Sequence, residues 1–167
     1  MNLQQAKNEI VNRRDGIVEM KCSNCDDTFL IDEADFERVK EYTWHKVGKY
    51  IRAKVNNIAI YIHIFIKGDR EGFEIDHKNR NRLDNRQDNL RYSTRNQNQW
   101  NKDKYKNNTS GFKGVSFKKP NNKWVAQIKL NGRLHIAGYF DTAREAAIAY
   151  NNKARELHGE FAVLNEL

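Results

Sequence analysis

A chain of 167 residues has room for one domain of ordinary size or two small ones, and is too short for a large multidomain enzyme. Its 30 Lys and Arg against 22 Asp and Glu leave a formal charge of +8, which favours a polyanionic partner, nucleic acid ahead of an anionic membrane. The longest apolar run, Ile58 to Ile66, is nine residues with His63 inside it, so no membrane span of roughly 20 residues is expected; the absence of an apolar signal core and the presence of only two cysteines suggest a reducing cytoplasm.

In chain order, Val18 to Lys21 and Thr28 to Ile31 read as short strands. The Cys22-x-x-Cys25 spacing between them is half of a tetrahedral zinc site. With no further cysteine, and His45 the nearest third ligand, a tight hairpin is expected there and zinc is not. Asp32 is placed to cap a helix whose Phe36, Val39 and Tyr42 share a face. Tyr50 to Val55 and Ala59 to Ile66 read as a strand pair around Asn56-Asn57, the second strand carrying His63. Glu74 to His77 is a strand, an Asn/Arg-rich loop follows, Leu90 to Tyr92 returns as a strand, and Ser93 or Thr94 caps a helix to about Asn101. Trp100 to Ser110 is lysine-rich and lacks apolar periodicity, so we expect domains at 1–104 and 111–167 joined by a basic linker at 105–110. Beyond it, Gly114 to Lys118, Trp124 to Leu130 and Leu134 to Phe140 form a meander. A helix follows from the Thr142/Glu145 capping box, with Ala143, Ala146, Ala147, Tyr150, Ala154 and Leu157 on one face and Gly159 at its end.

Charge is concentrated. From His77 to Lys119 there are twelve Lys/Arg and three acids, while the rest of the chain is close to neutral. The same block holds the residues best suited to chemistry. Adjacent Asp76 and His77 at a strand end project to opposite sides of the backbone, one towards a cation, the other towards an attacking water. Asp76 with Asn98 offers hard oxygen donors suited to Mg²⁺ or Mn²⁺. His77 titrates near neutrality and is a candidate general base, with the Asn89 carbonyl a candidate to hold its second ring nitrogen.

Asp76-His77, Asn89 and Asn98, in the context LDNRQDNLRYSTRNQNQWN, resemble the signature of the HNH nucleases of phage and intron-encoded homing type. That resemblance covers roughly Phe29 to Asn101. It implies a ββα-metal module hydrolysing phosphodiesters with one divalent cation: His77 the base, Asp76 and Asn98 the metal ligands, Asn89 orienting the base. The upstream IYIHIFI is similar to a strand in which that family writes His followed by Arg-Leu; Ile64 and Phe65 replace that pair here, and His63 is taken as active-site support.

Ser110 to Asn165 closely resembles an APETALA2-type DNA-binding domain, through Gly114-Val115, Trp124-Val125-Ala126, Gly138-Tyr139-Phe140, Ala146-Ala147, Tyr150 and Phe161-Ala162-Val163-Leu164-Asn165. It implies a sheet laid in the major groove. The fold class is therefore α+β, a ββα-metal nuclease module followed by a small three-stranded antiparallel sheet packed on one helix. Val115, Phe117, Val125 and Ile128 are expected inside or flanking. Lys113, Ser116, Lys118, Gln127, Lys129, Arg133 and His135 are expected on DNA, together with Arg80, Arg82, Arg86, Arg91, Arg95, Lys102, Lys104 and Lys106 from the basic block. Ser116, Leu134 and Ile136 stand where the plant proteins carry two arginines and a tryptophan, so their target sequence does not transfer. The expected activity is site-preferring cleavage of double-stranded DNA by a monomer in a bacterial or phage-infected cell. The alternative is a DNA-binding regulator with a silent HNH module.

Overall fold

Short antiparallel hairpins account for most of the regular structure. In a computed structural model that describes residues 7–104 and 107–167, the chain divides into two compact units at Thr94/Arg95. The architecture is mixed α+β, with small antiparallel sheets and few helices. Among the described residues no helix is long and apolar enough to cross a membrane.

The first unit begins with a three-stranded sheet of β1 (Ile10–Arg14), β2 (Ile17–Lys21) and β3 (Thr28–Asp32). Val18, Met20, Phe29 and Ile31 alternate onto its buried face. Residues 22–27 are the β2–β3 turn, closed by Cys22 N donating to Asp27 O at 2.9 Å, as the hairpin reading of the cysteine pair anticipates. Helix α1 (Glu33–Val39) buries Phe36 and Val39. Asp32 stands at its N-cap, yet the carboxylate caps nothing there: Oδ2 accepts from the distant Gln87 N at 2.6 Å. A second sheet comprises β4 (His45–Val47), β5 (Tyr50–Val55) and β6 (Ile58–Tyr61), the last two joined by Asn56 and Asn57 at positive φ.

The strand expected over Ala59 to Ile66 is corrected. It ends at Tyr61, and Ile62–Lys67 is a helix, α2. A continuous apolar run contains both the strand and the helix period, so packing decides; Ile62, His63 and Ile66 all turn inward, a helical spacing, and Gly68 at φ 82 ends the turn. β7 (Glu74–His77) and β8 (Leu90–Ser93) then pair with Asp76 opposite Arg91 and His77 opposite Leu90.

The second unit opens with α3 (Arg95–Trp100). Its sheet has the order β11-β10-β9, from β9 (Val115–Lys118), β10 (Lys123–Leu130) and β11 (Arg133–Phe140), and α4 (Ala143–His158) lies across one face. Val115, Ala126, Ile128, Ala146, Ala147, Tyr150 and Ala154 form the core between sheet and helix. The alanines remove side-chain bulk from the helix face, which allows close approach. Gly114, at φ +73, is required at the sheet's edge: a Cβ there would overlap the Tyr150 ring and lie 2.7 Å from the Gln127 carbonyl oxygen. The capping box forms as expected, with Thr142 Oγ1 accepting from Glu145 N and Glu145 Oε2 accepting from Thr142 N. The Trp100 ring stacks on His158, centroids 4.3 Å apart, which ties α3 to the end of α4 within this unit.

Candidate active site

The β7–β8 hairpin is open at one end into the polar loop of residues 78–89, which carries little apolar surface and is held by its own asparagines. Asn89 Oδ1 accepts from Asn79 N at 2.9 Å and its Nδ2 donates to Asp84 O at 2.7 Å, fastening both ends of the loop. Asn79 and Asn81 side chains accept from backbone N–H groups two residues on. Asp84 is buried and bonds Arg86 through both carboxylate oxygens, each at 2.7 Å, and accepts from Asn79 Nδ2. Burial opposes its charge, but Arg86 and Asn79 hold its carboxyl below the usual range. Strand β3 pins the loop from beneath: Leu30 N donates to Leu83 O, and Asn85 N to Leu30 O, both at 2.8 Å.

His77 is 4% exposed at the start of this loop. Its Nε2 lies 3.2 Å from Asn85 Oδ1. With that oxygen as acceptor, the ring proton sits on Nε2 and Nδ1 carries the lone pair. The ring packs edge-on against His63, centroids 5.3 Å apart, and both face Tyr50. Tyr61 stacks on the other side of His63, while Arg82 Nε donates to the Tyr50 hydroxyl at 2.7 Å. Burial pushes the His77 imidazole below its ordinary pKa, helped by the Arg82 charge and opposed by Asn85, Asp76 and Asp84. Burial, the neighbouring His77 and Arg82 lower His63 to about 4. Two neutral imidazoles thus stand side by side, and a neutral imidazole is the form that accepts a proton from water.

Asp76, 6% exposed, turns to the opposite face of β7. Arg91 Nε donates to its Oδ2 at 3.0 Å and the guanidinium Nη2 lies 2.9 Å from the same oxygen. The expected set is therefore distributed. Asp76, His77 and Asn89 belong to the first unit; Asn98 lies on α3, in the second. His63 stands against the His77 ring, on a helix instead of a strand. The amide facing the His77 ring belongs to Asn85, while Asn89 braces the loop that carries Asn85. Asn85 carries no sequence signal, because nothing in Asp84-Asn85-Arg86 distinguishes it from the surrounding asparagines.

Several expected DNA contacts are also relocated. Arg91 is buried on Asp76, Arg86 is committed to Asp84, and Arg82 lies over the Tyr50 ring. Arg80 and Arg95 are exposed. In the second unit Lys102 Nζ donates to Gln99 Oε1 and Lys104 Nζ to Gly111 O, whereas Lys113 Nζ caps α3 by donating to the Trp100 and Lys102 carbonyls. Lys106 lies outside the described residues. Strand register places Ser116, Lys118, Gln127 and Lys129 on the sheet face away from α4. Arg133 and His135, opposite Leu130 and the core residue Ile128, are on the α4 side, as strand alternation demands, so their expected places among the groove-facing residues are corrected. Val125 takes the face away from α4 and is nonetheless buried. Cys22 is buried, and desolvation together with the neighbouring Cys25 pushes its thiol up to about 12.

Residues 67–100, which contain Asp76, His77, Asn89 and Asn98, match the HNH endonuclease family model. The chain is 38% identical over 92 residues to Protein 3.8 of Escherichia phage T7, covering 55% of this chain and 75% of that protein. It is 30% identical over 170 residues to the uncharacterized HNH endonuclease L560 of Acanthamoeba polyphaga mimivirus, covering 87% of this chain and 88% of that one. A shorter stretch of 46 residues is 52% identical to the dehydration-responsive element-binding protein 2D of Arabidopsis thaliana, 26% of this chain and 22% of the plant protein. No solved structure matches. An HNH profile over the hairpin, and an HNH relative alignable along nearly the whole chain, place this protein in the HNH endonuclease family.

Proposed function

We propose that the chain is a site-preferring DNA endonuclease of homing type, in which the first unit hydrolyses a phosphodiester and the second chooses where. The observation that carries this reading is the His77 ring, buried and fixed through Nε2 by Asn85, beside an Asp76 carboxylate fixed by Arg91. His77 Nδ1 takes a proton from water, the water oxygen bonds to phosphorus, and the bond to the departing sugar oxygen breaks. Asp76 supplies an oriented carboxylate, a hard oxygen donor of the kind Mg²⁺ or Mn²⁺ takes, and the HNH resemblance implies the Asn98 amide oxygen as a second ligand. When bound, such a cation neutralises phosphate charge and stabilises the departing oxygen. His63 and Tyr50 wall the base against solvent, and Asn89 keeps Asn85 in place.

The second unit supports the reading part of the proposal. A three-stranded sheet backed by one helix is what the APETALA2-type resemblance implies, and the named plant relative aligns with part of the chain. Phosphate contacts supply affinity and base-edge contacts supply choice. Incubating supercoiled plasmid with the full chain, with and without Mg²⁺, tests the activity: nicked or linear product only with the cation supports it. Duplex binding without cleavage, across Mg²⁺ and Mn²⁺, would instead make the protein a DNA-binding regulator.

A further inference from the structure

Giving the second unit the choice of site does not say which bases its open sheet face, the one that α4 does not cover, selects. Val115, Ala126 and Ile128 pack on the helix, so strand alternation assigns Lys118, Gln127, Lys129, Leu134, Ile136 and Tyr139 to the other side. There Leu134, Ile136 and Tyr139 are 59%, 53% and 49% exposed, an apolar patch of the kind that marks a binding surface. Register sets Gln127 directly opposite Ile136 and Lys129 opposite Leu134, so polar and apolar groups alternate across the β10–β11 ribbon. None of the three strands contains an Asp or Glu. Lys118 and Lys129 are exposed beside the patch. Arg133 alternates with Leu134 and therefore lies on the α4 side, so no arginine occupies this face.

A cationic surface with an apolar centre is complementary to a polyanion that itself presents apolar groups between rows of charge. The major groove of duplex DNA does so wherever thymine projects its C5-methyl group, and the groove is wide enough for a two-stranded ribbon. Guanine is read by arginine or lysine; this face has no arginine, and its Lys118 and Lys129 stand beside the apolar patch, which leaves the amide of Gln127, the matching reader for adenine, among the apolar side chains. Resting on the DNA-cleaving reading above, we propose that this face selects A·T-rich sites by seating thymine methyl groups against Leu134 and Ile136, with Gln127 on adenine and the lysines on flanking phosphates.

The test uses the full chain in EDTA. Bound duplexes are selected from a random library, and the selected duplex is then remade with deoxyuridine in place of thymidine, which deletes only the methyl groups. The selected core should contain T·A pairs, and each buried methyl lost should weaken binding about fourfold. Leu134→Ala and Ile136→Ala, both at exposed positions, should bind thymidine and deoxyuridine duplexes alike, whereas Lys129→Ala should weaken both equally. A selected core of G·C pairs, equal binding of the two duplexes by the wild type, or undiminished discrimination in the variants would overturn the proposal. If the wild type still cuts plasmid in Mg²⁺, only the proposed site preference falls; if it neither binds nor cuts duplex DNA, the nuclease reading falls with it.

Discussion

The loop of residues 78–89 and the α4-backed sheet are both small, basic surroundings, yet they are held together by opposite means. The loop has almost no apolar surface to bury, so its conformation rests on Asn79, Asn81, Asp84 and Asn89 satisfying neighbouring backbone groups. The sheet is held by apolar contact, with alanines and a glycine thinning the helix–sheet interface. Hydrogen bonds are directional and fix side chains to fractions of an ångström, as a catalytic base requires; apolar packing supports a broad face without dictating each exposed side chain. The consequence is that single polar substitutions should damage the first unit locally, while the second should be sensitive to volume.

The largest effect is expected from Asp76→Ala. It leaves the Arg91 guanidinium buried without its carboxylate, which should cost about 3–5 kcal/mol in the first unit and abolish cleavage even at high Mg²⁺, as measured by denaturant melting and plasmid nicking. Gly114→Ala should cost about 3 kcal/mol by driving a methyl group into Tyr150 at a positive φ, and chemical denaturation should show the second unit unfolding early with the first unchanged. Asn89→Ala removes two hydrogen bonds at once and leaves Asp84 O and Asn79 N unpaired. A loss of about 2 kcal/mol is expected, with faster amide exchange through residues 78–86. Thr142→Ala, which removes half of the capping box, should cost only about 1 kcal/mol, read as a lower midpoint for the second unit.

Much of this contrast is legible in the sequence, for different reasons in the two units. The α4 capping box and its alanine face are local patterns, and they form where the spacing places them. The β7–β8 hairpin is equally local, and the HNH-like order of Asp76, His77 and Asn89 marks it. Long-range pairings are not legible. Asp32 looks like a helix cap and instead holds Gln87, fifty-five residues on; Arg91 looks like a phosphate contact and is buried on its cross-strand partner Asp76. β1 and β4 have no distinctive pattern of their own and are drawn into sheets by their neighbours. Among the four asparagines of the loop, only the fold singles out Asn85 as the one facing His77.

We assign the activation of water to the His77 ring held by Asn85. This assignment is tested most directly by timing the nicking of supercoiled plasmid in Mg²⁺ by the wild type and by His77→Ala, with duplex binding in EDTA measured alongside. The variant should cut at a rate lower by about 10²-fold or more, with binding unchanged. Cleavage by the variant at a near wild-type rate would contradict it.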